Sequence, residues 1–209
     1  MYDTVLNITW LGDANDAMTT GYAAGGFMNW TDANAFVRDL TYGGYSDWRL
    51  PKTAPIGADW NYAASIDGST DYSLGITSPH SELAYMFAVN LENTSLVPGG
   101  RVRLFDDPLN PNDESLFTNL GCSDTRAACP TYWSGTTYGQ NPYYPMPVDA
   151  RWVFDMDYGW QSGDYADKLY YAWPVRDGDV AAHVPDPGSS LLLLGIGLVG
   201  LRACRRRME

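Results

Sequence analysis

Apolar residues recur at helical spacing in only two stretches of this chain. Ala33, Phe36, Val37 and Leu40 fall three and four apart within residues 31–40, just after Asn29 and Thr31, either of which can cap a helix. Leu83, Met86 and Phe87 repeat the spacing and predict a second helix over 81–89. Elsewhere short aromatic and β-branched runs are split by Gly, Pro, Asn and Asp, which predicts strands at 5–10, 132–134, 150–155 and 170–176. Two helices among many short strands predict a single α+β domain over residues 1–180.

The pattern changes after that point. Val184, Pro185, Asp186 and Pro187 break any helix, residues 191–201 are apolar without interruption, and Arg202, Arg205, Arg206 and Arg207 follow. The apolar run makes a helix of about 16 Å at roughly 1.5 Å per residue, short for a full membrane crossing of about 20 residues. Arginines directly after it resist burial in a core, so an anchor or span is the better reading. The positive-inside rule keeps them cytoplasmic and puts the domain outside. Export needs a leader and the residues after Met1 read as domain sequence, so the signal is expected upstream of Met1.

Breaker, apolar helix and arginine cluster in that order resemble the PEP-CTERM protein-sorting signals of Gram-negative bacteria, with Asp186 where that family usually has Glu. The resemblance implies recognition by the membrane protease-transpeptidase exosortase, removal of the 184–207 tail near Pro185 and Pro187, transient membrane contact, and an inner-membrane anchored precursor that ends at the cell surface or in the extracellular matrix.

Charge narrows the partners. The 209 residues carry 25 Asp+Glu against 13 Lys+Arg, a net of -12, and four of the arginines lie in the tail. Such a chain is no nucleic-acid binder. Tyr (15) and Trp (8) outnumber Phe (6), and rings with a polar tip suit half-exposed surfaces, which leans toward a ligand-binding face. Cys122 and Cys129 in a loop-like stretch suit a local disulfide in an exported protein; a metal pair would lack the further ligands it needs, since His80 and His183 are distant in sequence.

Four phrases stand out: 43–51 (Gly-Gly-Tyr-Ser-Asp-Trp-Arg-Leu-Pro), 81–83 (Ser-Glu-Leu), 132–136 (Tyr-Trp-Ser-Gly-Thr) and 172–176 (Ala-Trp-Pro-Val-Arg). In that order they resemble the Lcl C-terminal domain family, named for a domain of a bacterial collagen-like adhesin, and more distantly the formylglycine-generating-enzyme and C-type-lectin-like folds. The resemblance implies a C-type-lectin-like domain with two main helices and short antiparallel strands, and a polysaccharide-binding, adhesin-like role. The residues themselves read as architecture: Asp47 and Arg49 flank Trp48 in a turn ending at Pro51, where a guanidinium can bridge a carboxylate and carbonyls while the indole fills the core. Arg176 is read as a buried ion-pair partner, and Glu82 as a charge at a helix N-terminus.

For a ligand, the segment 150–161 alternates rings with acids. Trp133, Tyr138 and Trp160 with Asp155 and Asp157 could form a sugar platform, the rings covering a pyranose face and the carboxylates accepting hydroxyls. The same rings could equally fill an aromatic core. The oxygens of Asp106, Asp107, Asn110, Asn112, Asp113 and Glu114 could hold calcium but lack EF-hand spacing, so solvated acids are the default and no cofactor or metal is otherwise expected. No nucleophile motif occurs and Asp155 and Asp157 do not suit glycoside hydrolysis, so an enzyme is the weakest class. A self-associating structural matrix protein is the alternative to a glycan binder.

Overall fold

The computed structural model describes residues 1–93, 117–120, 130–146 and 148–180. Cys122, Cys129, the acidic stretch 106–114 and the 184–207 tail lie outside them. The compact unit is Met1–Gly178.

Among the described residues, helices α1 (Asp16–Thr19), α2 (Trp30–Asp39) and α3 (Glu82–Tyr85) combine with strands β1 (Tyr2–Asp3), β2 (Ile8–Trp10), β3 (Ala64–Ser65), β4 (Tyr72–Ser73), β5 (Thr131–Thr137), β6 (Arg151–Asp155), β7 (Trp160–Asp164) and β8 (Val175–Asp177). The fold class is α+β. Strands β1-β2-β8 form one antiparallel sheet, and β3-β4-β7-β6-β5 a second in which only β3 and β4 run parallel.

Helix α2 forms as its spacing predicts. Asn29 is the cap: its Oδ1 accepts the Asp32 backbone N–H at 2.9 Å while its Nδ2 donates to Asp32 Oδ2 at 2.8 Å, so cap and third residue satisfy each other. Ala33, Phe36 and Val37 are buried on one face, against Leu50, Trp133 and Val153. The chain then reverses between Tyr42 and Tyr45, which exchange two backbone hydrogen bonds. Both central residues, Gly43 and Gly44, have positive φ, a conformation glycine adopts at little cost.

The second helical stretch winds differently from its prediction. After one α-helical turn at α3, Met86–Asn90 widens into a π-helical turn, with Leu83, Met86 and Phe87 all buried.

Two strands are shorter than predicted. The backbone N–H groups of Val5 and Leu6 donate to Asp3 Oδ1 at 2.9 Å each, so a side chain occupies donors that a ladder would need, and only Ile8–Trp10 pairs. At 170–176, Pro174 has no N–H to give; Tyr170 and Tyr171 make isolated bridges, and the ladder begins at Val175.

Strand β7 was not anticipated, because Trp-Gln-Ser-Gly-Asp shows no alternation. Its Gly163 has a packing reason: a Cβ there would sit 2.3 Å from the Tyr138 ring. The expectation of surface tryptophans also needs correcting, since Trp10, Trp133, Trp152 and Trp173 are fully buried. Trp133 and Trp173 are accommodated by donating Nε1–H to the carbonyls of Met28 (2.8 Å) and Leu11 (2.9 Å).

Candidate functional site

The phrase that follows α2 sits against the last strand. Arg49 N–H and C=O both bond Val175, which holds the phrase beside β8. From there the Arg49 guanidinium donates to both Glu82 oxygens (2.8 and 2.9 Å), to Asp177 Oδ1 (2.5 Å) and to the Leu50 carbonyl (3.1 Å). Glu82 is therefore not simply a charge on a helix end. Its carboxylate takes the bidentate arginine and the backbone N–H of Lys52 at 2.6 Å.

A second pair lies alongside. Buried Arg176 donates Nε and NH2 to the two oxygens of Asp47 (2.8 and 2.9 Å) and lies over the Tyr45 ring at 3.9 Å. Trp48 is buried in the core with Leu83 and Val175, and Pro51 ends the turn with its carbonyl accepting from Gly135 N–H and Ser134 Oγ. The Arg49 contact holds the Asp177 carboxyl below its usual range. Glu82 and Asp47 spend their oxygens on arginine and backbone donors and Asp177 lies between Arg49 and Lys52, an arrangement that binds segments together.

The residues expected to bind sugar come together only in part: Asp155 and Trp160 are partners across β6 and β7, while the other rings are buried. Trp133 has no exposed surface and Tyr138 is 1 % exposed, so neither offers a face to a ligand. Tyr138 is a core ring, packed on Trp152 at 4.5 Å with its hydroxyl pushed up to about 12 by burial. Asp155 closes a turn: Oδ1 accepts the N–H groups of Asp157 (2.7 Å) and Tyr158 (3.2 Å). Asp157 lies in that turn, not on the strand, so the two acids do not form the same-face pair that alternation suggested. Burial raises the Asp155 carboxyl, with those two hydrogen bonds opposing the rise. Of the three expected rings only Trp160, 40 % exposed, remains at the surface, with Asp155 and Asp157 partly exposed.

Trp160 has other companions. Strand β4 pairs with β7 at Ser73 and Gln161, which sets Tyr72 diagonally across from Trp160; their rings meet edge to face at 6.4 Å. Tyr144 stacks on Tyr72 at 5.7 Å and 23° and is 54 % exposed.

The loop that brings Tyr144 there is fixed by one buried side chain. Asn141 Oδ1 accepts the N–H groups of Tyr143 (2.8 Å) and Tyr144 (3.0 Å), and its Nδ2 donates to the Tyr138 hydroxyl at 2.5 Å. Beneath, Gln161 donates to the Asp71 carbonyl at 2.7 Å and accepts from Ser81 Oγ, tying β7 to the β4 segment and to the start of α3. Three segments distant in sequence thus hold Tyr72, Tyr144 and Trp160 in one corner of rings. Neither Tyr72 nor Tyr144 is among the site residues expected from the sequence: Tyr144 stands in an aromatic pair between Pro142 and Pro145 that could have marked it, whereas Tyr72 carries no signal, because a single tyrosine in a two-residue strand has no pattern.

Among the described residues no three His, Cys, Asp or Glu side chains cluster as metal ligands would, and no helix is long and apolar enough to cross a membrane. The apolar segment 191–201 lies outside them.

A family model for the PEP-CTERM protein-sorting motif matches residues 183–207. No curated protein and no solved structure matches the chain. The tail thus carries a sorting motif of the kind recognised by exosortase, which supports an exported, membrane-anchored precursor in a Gram-negative bacterium.

Proposed function

We propose that this chain is an exosortase-sorted protein of the cell surface or extracellular matrix, and that its body is a non-catalytic, adhesin-like domain that binds polysaccharide. The sorting motif at 183–207 is the observation that carries the reading, because export through exosortase would bring the chain to where such polymers lie. Support for the binding role comes from the likeness of residues 43–51 and 172–176 to the Lcl C-terminal domain, with the C-type-lectin-like fold that likeness implies. Half-exposed tyrosines and a tryptophan beside a rigid sheet add to it. The absence of catalysis is supported by the acids around Arg49 and Arg176, which are engaged in ion pairs, and by Asp155, which is engaged in its turn. No cofactor takes part in this reading.

The test follows the chain in its producer. Deleting the exosortase should accumulate a membrane-bound precursor that keeps its tail, while the wild type releases a shorter product to the surface or medium. The full chain, purified in mild detergent, should cosediment with the producer's exopolysaccharide whether or not calcium is chelated. A product that stays in the cytoplasm, or one that never cosediments, would sink the proposal.

A further inference from the structure

Resting on the polysaccharide reading, we infer that the corner formed by Tyr72, Tyr144 and Trp160 is the glycan-contact surface, and that its ligand is a neutral polysaccharide. The ring geometry carries the location. Tyr72 and Tyr144 are stacked, Trp160 stands at 88° to Tyr72, and Tyr144 and Trp160 keep about half of their surface in water. Two ring planes at a right angle receive a flat pyranose on one face and its edge on the other, and phenolic hydroxyls at the margin exchange hydrogen bonds with sugar hydroxyls.

Rigidity distinguishes this corner from scattered surface rings. Asn141 pins Tyr144 through two backbone N–H groups, and β4–β7 pairing fixes Tyr72 against Trp160, so little rotamer freedom is lost when a ligand lands. Tyr42, another exposed ring, meets Trp48 edge to face at 6.2 Å, but Trp48 is buried and offers no second face to a ligand.

Charge carries the ligand class. Among the described cations, Arg38 pairs with Asp39, Arg49 with Glu82 and Asp177, Lys52 lies 3.9 Å from Asp177, Arg151 covers Trp30, Arg176 pairs with Asp47, and Lys168 is exposed on the segment after β7. The first five are engaged away from the three rings, and the chain as a whole is at -12. Uronate or sulfate groups would be repelled at long range by that excess of acid, whereas uncharged hydroxyls meet no such barrier.

The experiment uses the full chain in mild detergent with four probes: cellulose, curdlan and amylose as neutral glucans, and alginate as the acidic one. Binding to at least one neutral glucan is expected, with alginate bound at least tenfold more weakly. Trp160→Ala and Tyr144→Ala should each weaken glucan binding about tenfold. Asn141→Ala should weaken it less, because it loosens the loop and leaves the rings in place. Far-UV circular dichroism and a thermal melt check that each variant is folded, and Tyr165→Phe, outside the corner, should bind as the wild type does.

The outcomes separate cleanly. Undiminished binding by both ring variants overturns the location and leaves the polysaccharide reading standing. Preference for alginate overturns the ligand class, and no binding to any probe or to the producer's exopolysaccharide overturns both. If the ring variants instead lose concentration-dependent self-association and no glucan binds, the corner is a contact between copies and the inference fails.

Discussion

Two regions of this domain are held by different chemistry. Around β8, cations and carboxylates face one another, Arg49 with Glu82 and Asp177, Arg176 with Asp47, and Lys52 3.9 Å from Asp177. Around β4 and β7, rings stack on rings, and the outermost ones keep a face in water. Ion pairs saturate: once a bidentate arginine has met its carboxylate, little recognition capacity is left. Stacked rings do not saturate, since each covers one face of its neighbour and leaves the other. The paired cluster therefore reads as a fastening and the ring corner as a surface with something left to bind.

Removing one member of the paired cluster should have the largest effect. Arg49→Ala leaves Glu82 buried without its partner, and breaking a buried pair in this way costs about 3–5 kcal/mol. Urea denaturation of the variant would measure it. A loss near zero would show that water replaces the guanidinium, and the cluster would no longer count as a fastening.

On the ring side, Gly163→Ala should cost about 1–3 kcal/mol, since its Cβ would enter the Tyr138 ring and force an overpacked core to shift. Displacing Tyr138 also disturbs the donor–acceptor contact with Asn141, so the variant should loosen Tyr144 and quench or shift the tryptophan emission of the corner. Emission identical to the wild type's would break the link between the core and the surface rings.

The smallest effect is also the sharpest contrast, because acid should act on the two regions with opposite sign. Asp177 is held below its usual range by Arg49, so its contribution is present above the unfolded carboxylate value and is lost as pH falls through the lower folded value. Asp155 is raised by burial, so its ionisation carries a penalty that sets in as pH rises from the unfolded value toward the folded one, and acidification relieves it. Thermal melts across the acid range should show Asp177→Asn flattening the loss at low pH. Asp155→Asn, which keeps the turn acceptor, should raise stability near neutrality. Parallel shifts in both variants would remove the contrast.

Local signals carried part of this far. The cap and apolar face of α2, the strand at 151–155 and the breaker–helix–arginine order of the tail are all written in residues a few positions apart, where spacing alone sets which side chains can meet. The same local logic misplaced other features. It extended a strand through Val5, where the Asp3 side chain takes the backbone donors, and it set Asp155 and Asp157 side by side on a strand that turns between them. It also grouped Trp133 and Tyr138 with Trp160 because all are aromatic and near in the chain.

Hydrophobic pattern and motif order along the chain settle that this is an α+β body followed by a sorting signal, since periodicity and short-range spacing are properties of neighbouring residues. Which rings are core and which are surface is settled only by long-range packing. Trp133 disappears beneath α2 while Trp160 stays in water beside Tyr72, 88 positions away, because burial depends on what the rest of the chain lays over a residue and no residue carries that information itself.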